Sequence, residues 1–424
     1  MNIEIKNGRV IDPASNGDAK QALYIADGRI AALGEAPEGF KADKVIDAAG
    51  KVVCPGLVDL SVRLREPGFE HKATLESEML AAVAGGVTSV VCPPDTEPPL
   101  DEPGLVEMLK RRADALKQSR VYPLGALTQG LRGERLAEMA ELAEAGCIGF
   151  FQANHPLTDT NVLWRALQYA GTLGFTVWLR PEDVHLAAGG IAHDGEMATR
   201  LGLPAVPAAA ETIAIATILQ LVESTGSRVH LARLSTAQGA AMVADAKKRG
   251  LPVTADVGMH HLHLSDRDIG FFDAQYRFTP PLRDVRDRDA LRQAVASGAI
   301  DAICSDHTPV DDDEKQVPFG EAAPGATGLE LLLPLTLKWA VEARIPLVQA
   351  LATVTSVPAR LLGIPAGKLS VGAPADVCVF DPEAFWAVTP KTLRSQGKNS
   401  PYVGREVLGK VAHTLVGGQV VYPG

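Results

Sequence analysis

From about residue 52 to about residue 365, short apolar runs alternate with segments that carry the apolar spacing of amphipathic helices. This alternation is typical of a parallel sheet whose strands are joined by helical crossovers. One such helix, predicted over Glu134–Ala145, carries Leu136 and Met139 on its apolar face. Eight strand and helix units predict a (β/α)8 barrel of the α/β class. The eight predicted strands are Val52–Val62, Val87–Cys92, Arg120–Ala126, Cys147–Phe151, Phe175–Leu179, Val229–Leu234, Leu251–Val257 and Ala299–Cys304.

The two ends of the chain have a different pattern, in which apolar and polar residues alternate over short runs. The dipeptides Asn7-Gly8 and Asp27-Gly28 between these runs are typical of tight turns in antiparallel sheets. We therefore predict that residues 1–51 and 366–424 form one small β-sandwich domain beside a barrel of residues 52–365. The predicted strands of this small domain include Ile3–Ile5, Gly8–Ile11, Ala22–Ile25, Val45–Asp47, Ala375–Pro382 and His413–Tyr422.

Composition and charge are those of an ordinary globular protein. The chain has 424 residues, of which 46% are hydrophobic and 22% charged, and its net charge of −10 disfavours a nucleic-acid or anionic-membrane surface. Because the sequence also lacks a long uncharged apolar span and the pattern of a secretory leader, we expect a cytoplasmic protein. Its five scattered cysteines predict buried thiols rather than disulfides.

Polar side chains at the ends of the predicted barrel strands are the candidates for chemistry, because that edge of a (β/α)8 barrel carries the active site. Ser61 and Arg63 lie two residues apart, so they share one face of the first strand. Arg180 ends the fifth strand, Arg233 the sixth, and Asp306 follows the eighth. A hydroxyl is a weak metal ligand, and a guanidinium group has only donors and a permanent positive charge.

The segments around these residues resemble the dihydroorotases of the amidohydrolase superfamily over nearly the whole chain. That family has the pattern P-G-x-x-D-x-H-x-H-x-R-x-P-G on its first strand, His-x-x-His-x-Ser-Thr on its sixth and Asp-His-x-Pro on its eighth. In this chain the corresponding segments are Pro55–Gly68, His230–Thr236 and Asp306–Pro309. The resemblance implies an amidohydrolase-type barrel. It places Ser61, Arg63, Arg180 and Arg233 at metal-ligand positions and Asp306 at the position of the catalytic aspartate.

The resemblance also implies that the metal site has been lost. Zinc needs three or four donor ligands, and three guanidinium groups would repel it. The fourth strand, within Gly146–Asn154, has neither the lysine nor the carboxylate that bridges the metals in the family. We therefore predict no zinc and no catalytic residue. We also expect Arg63, Arg180 and Arg233 to converge on a vestigial Asp306.

Two further positions match substrate contacts of the family. Arg65 matches the residue that binds the substrate carboxylate, and Asp95 stands where the family has an asparagine, so its charge would repel an anionic substrate. We interpret both as vestigial. The run His260–His263 is interpreted as packing and loop hydrogen bonding, and His230 as a satisfied polar residue inside the barrel.

The chain is most similar to the non-catalytic dihydroorotase-like subunits that accompany aspartate carbamoyltransferase in some bacteria. That resemblance implies a structural role in pyrimidine biosynthesis. The expected partner is the aspartate carbamoyltransferase catalytic chain, and the expected assembly is a homodimer within a larger hetero-oligomer, without nucleic acid or membrane.

Two alternatives remain open. One is an active dihydroorotase or related cyclic-amide hydrolase with an altered metal site, such as a single ion on Asp306 and a histidine. The other is a metal-free protein that binds anions through its arginines. Whichever holds, we expect the acidic loop Val310–Gln316 to be poorly ordered or to lean on another chain.

Overall fold

The structure, a computed structural model, describes residues 1–423. Its strands, numbered in chain order, are β1 (Ile3–Lys6), β2 (Arg9–Asp12), β3 (Gly17–Lys20), β4 (Leu23–Ala26), β5 (Arg29–Leu33), β6 (Lys44–Asp47), β7 (Val52–Pro55), β8 (Leu57–Asp59), β9 (Val87–Cys92), β10 (Arg120–Pro123), β11 (Gly125–Ala126), β12 (Phe150–Phe151), β13 (Thr176–Leu179), β14 (Ala192–His193), β15 (Ala205–Val206), β16 (Arg228–Leu231), β17 (Val253–Gly258), β18 (Ala302–Cys304), β19 (Val377–Ala387), β20 (Glu406–Val416) and β21 (Gln419–Pro423). Its α-helices are α1 (Leu75–Ala84), α2 (Pro103–Leu116), α3 (Met139–Ala145), α4 (Thr160–Leu173), α5 (Val184–Ala187), α6 (Glu196–Leu201), α7 (Ala208–Thr225), α8 (Ala237–Lys248), α9 (Val285–Ser297), α10 (Leu332–Ala343), α11 (Leu347–Ala352) and α12 (Ser356–Leu362).

The barrel consists of two runs of parallel strands, β8-β9-β10 and β11-β12-β13-β16-β17-β18. Strands β10 and β11 are separated by Leu124 alone and act as one barrel strand, so eight strands form the wall. A parallel bridge between Val62 and His307 joins the first strand to the eighth. The backbone N–H of His307 donates to the carbonyl of Ser61 at 3.0 Å and closes the ring. The predicted (β/α)8 barrel is confirmed.

Two sheets from both ends of the chain form the small β structure, in the orders β5-β4-β1-β6 and β21-β20-β19-β7-β2-β3. Apolar side chains of both sheets, including Ile3, Ile25, Val53 and Val379, share one buried core. The Asp27-Gly28 turn joins β4 to β5 with positive φ at both residues, 50° and 74°, as a tight hairpin turn requires. At Asn7-Gly8 the expectation of an antiparallel turn is wrong, because β1 and β2 belong to different sheets.

The predicted strand Val52–Val62 is wrong as a single element. Residues Val52–Pro55 pair with β2 and β19 in the small structure, whereas Leu57–Asp59 begins the barrel. The N-terminal part of the small β structure therefore extends to Pro55, through the sheet that contains β2, β3 and β7. Gly56 lies at the crossing, where an added Cβ would stand 2.2 Å from the Thr88 side chain, so only glycine fits there.

Two other predictions need correction. The helix predicted over Glu134–Ala145 begins at Met139, because the residues before it pair with the segment around Thr128 in an antiparallel bridge. The acidic loop makes many contacts within this chain, contrary to expectation: Glu314 pairs with Lys72 at 2.7 Å, and the Lys315 ammonium donates to the carbonyl of Ala274 at 2.9 Å. Within residues 1–423, every helix is too short or too polar to cross a bilayer.

Candidate functional site at the barrel mouth

Asp306 lies at the centre of the mouth, two residues after β18, with its side chain only 4% exposed. Its Oδ1 accepts hydrogen bonds from Arg233 Nη1 at 3.0 Å, from Arg63 Nη1 at 3.4 Å and from Ser61 Oγ at 3.4 Å. Two guanidinium groups and one hydroxyl therefore share a single carboxylate oxygen. Burial strengthens these charge interactions, because little water is present to screen them.

Arg63 also binds a second carboxylate. Its Nε donates to Asp95 Oδ2 at 2.8 Å, and its Nη1 donates to Thr308 Oγ1 at 3.0 Å. Burial opposes the charge of Arg63, but Asp95 and Asp306 outweigh it and raise the arginine's pKa. Burial likewise opposes ionisation of Asp95, while Arg63 and Arg65 lower its pKa. Asp95 is thus an ion-pair partner inside the mouth, which corrects its interpretation as a free repulsive charge.

Arg233 follows β16 and is held by bonds to both its backbone and its side chain. Its N–H donates to Asp256 Oδ1 at 2.7 Å, and its Nη2 donates to Asn154 Oδ1 at 2.6 Å. Burial, more than any other cause, lowers the pKa of Arg233, and the charge of Arg63 acts in the same direction. Asp306 is therefore the main compensation for this buried cation.

His230 lies inside the barrel and is fully satisfied there. Its Nε2 is 3.0 Å from Asp256 Oδ2 and its Nδ1 is 2.8 Å from Thr254 Oγ1. Its ring packs on Trp178 with the two centroids 4.0 Å apart. These contacts agree with the interpretation of His230 as a satisfied polar residue.

Arg180 does not join the cluster around Asp306. Its Nη1 and Nη2 bind the two carboxylate oxygens of Glu182 at 2.5 and 2.7 Å. This fork-like pair uses a carboxylate only two residues away in the chain. Arg63 and Arg233 therefore bond to Asp306, in agreement with the predicted convergence, whereas Arg180 bonds to Glu182 instead and acts on the cluster only through its charge beside Arg233.

Arg65 is the one arginine of the mouth that has no carboxylate partner among the described residues. Its Nε donates to the carbonyl of Pro309 at 2.8 Å, and its guanidinium carbon lies 5.9 Å from the centre of the Phe69 ring. Within residues 1–423 it has no carboxylate closer than 4.0 Å. Burial, with repulsion from Arg63, lowers the pKa of Arg65 to about 10.

Four residues at the strand ends have left-handed backbone, with φ of 64° at Arg65, 52° at Ala153, 59° at Arg233 and 48° at Asp306. Each such residue costs about 1–3 kcal/mol and persists only where its surroundings hold it in place. At Arg233 the bond from its N–H to Asp256 does so. The mouth therefore keeps a strained backbone, and two of the strained residues, Arg233 and Asp306, bond to each other there.

A buried pair next to Asp306 was missed by sequence reasoning. His307 Nδ1 accepts the N–H of Gly328 at 3.0 Å, so its Nε2 carries the proton and donates to Glu78 Oε2 at 2.6 Å. Burial opposes ionisation of Glu78, but the bonds from His307 and Ser395 outweigh it and lower the pKa. The available signal was a glutamate among the apolar residues of the segment that forms α1.

The histidines of the run His260–His263 make packing contacts and hydrogen bonds to backbone carbonyls. Both ring nitrogens of His260 are buried without a hydrogen-bond partner among the described residues, and the ring lies between Phe278 and Tyr402. Burial lowers the pKa of His260 to about 3. His261 Nε2 lies 3.2 Å from the carbonyl of Pro280, and His263 Nε2 lies 2.8 Å from that of Leu335.

This donor set does not fit a zinc ion. Throughout residues 1–423, no three side chains of His, Cys, Asp or Glu come together in a way that could hold a metal. At the mouth, Oδ1 of Asp306 is bonded to two guanidinium groups, whose positive charge would repel a metal ion there. The arrangement instead forms a network of ion pairs with three carboxylates, those of Asp95, Glu182 and Asp306. The arginines of the mouth outnumber these carboxylates by one; they are Arg63, Arg65, Arg180 and Arg233.

Comparisons with known proteins agree with this architecture. A dihydro-orotase-like family model matches residues 50–239, and an amidohydrolase family model matches residues 191–422. A dihydroorotase-like protein of Pseudomonas putida is 46% identical over 422 residues, covering 100% of this chain and 99% of that protein. A dihydroorotase of Geobacter sp. (strain M21) is 42% identical, covering 100% and 99%.

Among solved structures, the L-hydantoinase (dihydropyrimidinase) of Arthrobacter aurescens superposes with a TM-score of 0.89 at 25% identity, covering 99% of this chain and 96% of that one. The chain therefore belongs to the dihydroorotase-like proteins of the amidohydrolase family. Its relatives include hydrolases of cyclic amides.

Proposed function

We propose that this chain is a catalytically inactive dihydroorotase homologue that serves as a structural subunit of aspartate carbamoyltransferase. The observation that carries the proposal is the pair of guanidinium groups on Asp306, at 3.0 and 3.4 Å. Hydrolysis of a cyclic amide in this family requires an activated water and a carboxylate that receives its proton. In this mouth, two guanidinium groups bond to Oδ1 of the candidate carboxylate, and their charge disfavours both a metal ion and the transfer of a proton to that oxygen.

The structural role is supported by what surrounds the altered mouth. The barrel keeps a continuous buried core, from Leu57 on the first strand to Trp339 on α10. The small β structure keeps a core of its own. A chain that folds fully while its mouth is filled by ion pairs suits a subunit whose task is assembly. The partner in this proposal comes from the resemblance to the non-catalytic subunits, and contact through the outside of the barrel would leave the mouth free.

An active dihydroorotase or related cyclic-amide hydrolase with an altered metal site is the second candidate. The observation in its favour is that several relatives with 41–42% identity carry the name dihydroorotase. Such activity would require Arg63 and Arg233 to leave Asp306. It would also need a histidine ligand, although His307 is bonded to Glu78 and His260 is enclosed.

The two candidates are separated by co-expression and by assay. We expect the tagged chain to retain the aspartate carbamoyltransferase catalytic chain through size-exclusion chromatography, and the transferase to assemble poorly without it. We expect the purified chain, supplied with zinc, to hydrolyse dihydroorotate no faster than buffer. The matched control is Asp306→Asn, which should also show no hydrolysis. Enzyme-like hydrolysis that Asp306→Asn abolishes would establish the second candidate, and a transferase that assembles equally well alone would refute the subunit role.

A further inference from the structure

A cavity of about 250 Å³ lies between the barrel and the small β structure. Ala84 at the end of α1 and Pro334 of α10 line it from the barrel side. Trp386 of β19 and Tyr422 of β21 line it from the other side. Junctions between structural units are preferred places for small-molecule sites. The residues of the mouth take no part in this cavity.

Three cations surround it. Lys391, Arg394 and Lys410 are exposed residues that line the cavity. Within residues 1–423, none of the three charged side-chain groups has a carboxylate within 4.0 Å. The whole chain carries a net charge of −10. These three side chains therefore make the cavity locally positive in a protein whose net charge is negative, and they favour an anion there.

The one acidic group in the cavity wall, Glu330, binds backbone N–H groups rather than the three cations. Glu330 is 8% exposed, and its Oε1 accepts the N–H of Arg394 at 2.6 Å while its Oε2 accepts the N–H of Ser395 at 3.3 Å. Burial, with repulsion from Glu78, raises the pKa of Glu330 to about 7. Its carboxylate thus holds the loop that bears Arg394, and near neutral pH it opposes an anion only in part.

Two aromatic side chains add a preference for a flat ligand. The Trp386 indole is fixed by a bond from its Nε1 to the carbonyl of Gly409 at 3.0 Å, and both Trp386 and Tyr422 are half-buried in the wall. Fixed aromatic faces next to cations are well suited to a planar ring that carries a negative group. The volume lies just below the usual range of about 300–1,000 Å³ for ligand pockets, which limits the ligand to one small ring system.

We propose that this cavity binds a small anion that joins one flat aromatic ring system to a carboxylate or a phosphate. The cations Lys391, Arg394 and Lys410 hold the negative group, and Trp386 and Tyr422 contact the ring. The inference is independent of the subunit role, since it uses no residue of the mouth. Two sources supply this chemistry, aromatic carboxylates and mononucleotides, and separate probes distinguish them.

The test is titration of the full chain with benzoate, with adenosine 5′-monophosphate and with inorganic phosphate, followed by calorimetry and tryptophan fluorescence. We expect at least one of the two ring anions to bind with a Kd below about 1 mM and to change the Trp386 fluorescence. Lys391→Ala, Arg394→Ala and Lys410→Ala should each weaken binding at least about fivefold, roughly 1 kcal/mol. Trp386→Phe should lose the fluorescence change.

Controls locate the site. Lys248→Ala removes an exposed lysine elsewhere on the surface and should leave binding unchanged. Arg65→Ala should also leave it unchanged, and circular dichroism of every variant confirms folding. Benzoate binding alone identifies an aromatic carboxylate, and nucleotide binding alone identifies a mononucleotide. The proposal is overturned if neither ring anion binds, or if inorganic phosphate binds as tightly as the ring anions do. It is also overturned if Arg65→Ala abolishes binding while the three cavity substitutions do not.

Discussion

Arg63 Nε lies 2.8 Å from Asp95 Oδ2, and both residues depart from the pattern of the dihydroorotases that the chain resembles. The resemblance places a ligand histidine at position 63 and a substrate-contacting asparagine at position 95. An arginine alone at this depth would be a buried charge with too little compensation, and an aspartate alone would be another. Each of the two departures makes the other tolerable. At the positions where the resemblance places metal ligands, the mouth therefore has side chains that form ion pairs with their neighbours.

The first prediction concerns this pair. We expect Arg63→Met to destabilise the fold by about 3–5 kcal/mol, because it leaves Asp95 buried without its main partner. Asp95→Asn should cost less, since Arg63 keeps Asp306 and Thr308. In the double variant the two losses should not add, and the coupling energy should be about 1–3 kcal/mol. Urea unfolding of the four proteins in the cycle measures it.

The control cycle uses Arg9 and Asp18, which are 2.6 Å apart on the surface with side chains 51% and 34% exposed. Water and salt screen this pair, so its coupling should stay below about 1 kcal/mol. If the buried cycle gives no larger coupling than the exposed one, the mouth is not stabilised by compensating charges.

The second prediction concerns Asp306. Asp306→Asn removes the carboxylate on which Arg63 and Arg233 converge, so we expect a loss of about 3–5 kcal/mol in the free energy of unfolding. Asp194→Asn changes an exposed aspartate and should stay within about 0.5 kcal/mol of the original chain. A nearly neutral effect of Asp306→Asn would mean that water, rather than the carboxylate, compensates the two cations.

The third prediction concerns pH. Asp59 accepts the N–H groups of Ser61 and Ser305, but its Oδ2 is buried without a partner among the described residues. Burial, as the largest cause, raises the pKa of Asp59 to about 6. The folded chain therefore binds this proton more tightly than the unfolded chain. Its stabilising contribution is present below pH 4 and is lost as the pH rises towards 6.

Asp59→Asn isolates this effect. The amide stays neutral, so the original chain should lose on the order of 2–3 kcal/mol relative to the variant between pH 4 and pH 7. Titrations of the buried histidines occur in both proteins and cancel in the difference. Urea unfolding of both proteins at several pH values gives the comparison, and a difference that does not vary with pH would exclude a raised pKa at Asp59.

Much of the mouth could be predicted because strand ends meet at one edge of a barrel. Arg63, Arg233 and Asp306 follow three different strands, and barrel geometry alone brings them together. The sequence could not show which carboxylate Arg180 binds, since a side chain with several rotatable bonds can bind Glu182 as readily as Asp306. The Glu78–His307 pair joins residues 229 apart in the chain, and no local pattern records such a contact. The apolar run Val52–Val62 gave no sign that it changes sheets at Gly56.

The last prediction is that restoring the ligand positions will not restore hydrolysis. Ser61→His, Arg63→His, Arg180→His and Arg233→His together would supply enough nitrogen donors for zinc around Asp306. They would not supply the bridging group, because β12 and the residues around it offer neither lysine nor carboxylate. They would also leave Asp95 without its arginine partner.

Because misplacement of about 1 Å can cost a factor of about 100 in rate, new ligands without their supporting contacts should stay inactive. Metal content by mass spectrometry and dihydroorotate hydrolysis test this separately: we expect zinc in the fourfold variant, none in the original chain, and background hydrolysis in both. Hydrolysis well above background in the fourfold variant would contradict this prediction and show that these four side chains are sufficient to confer activity.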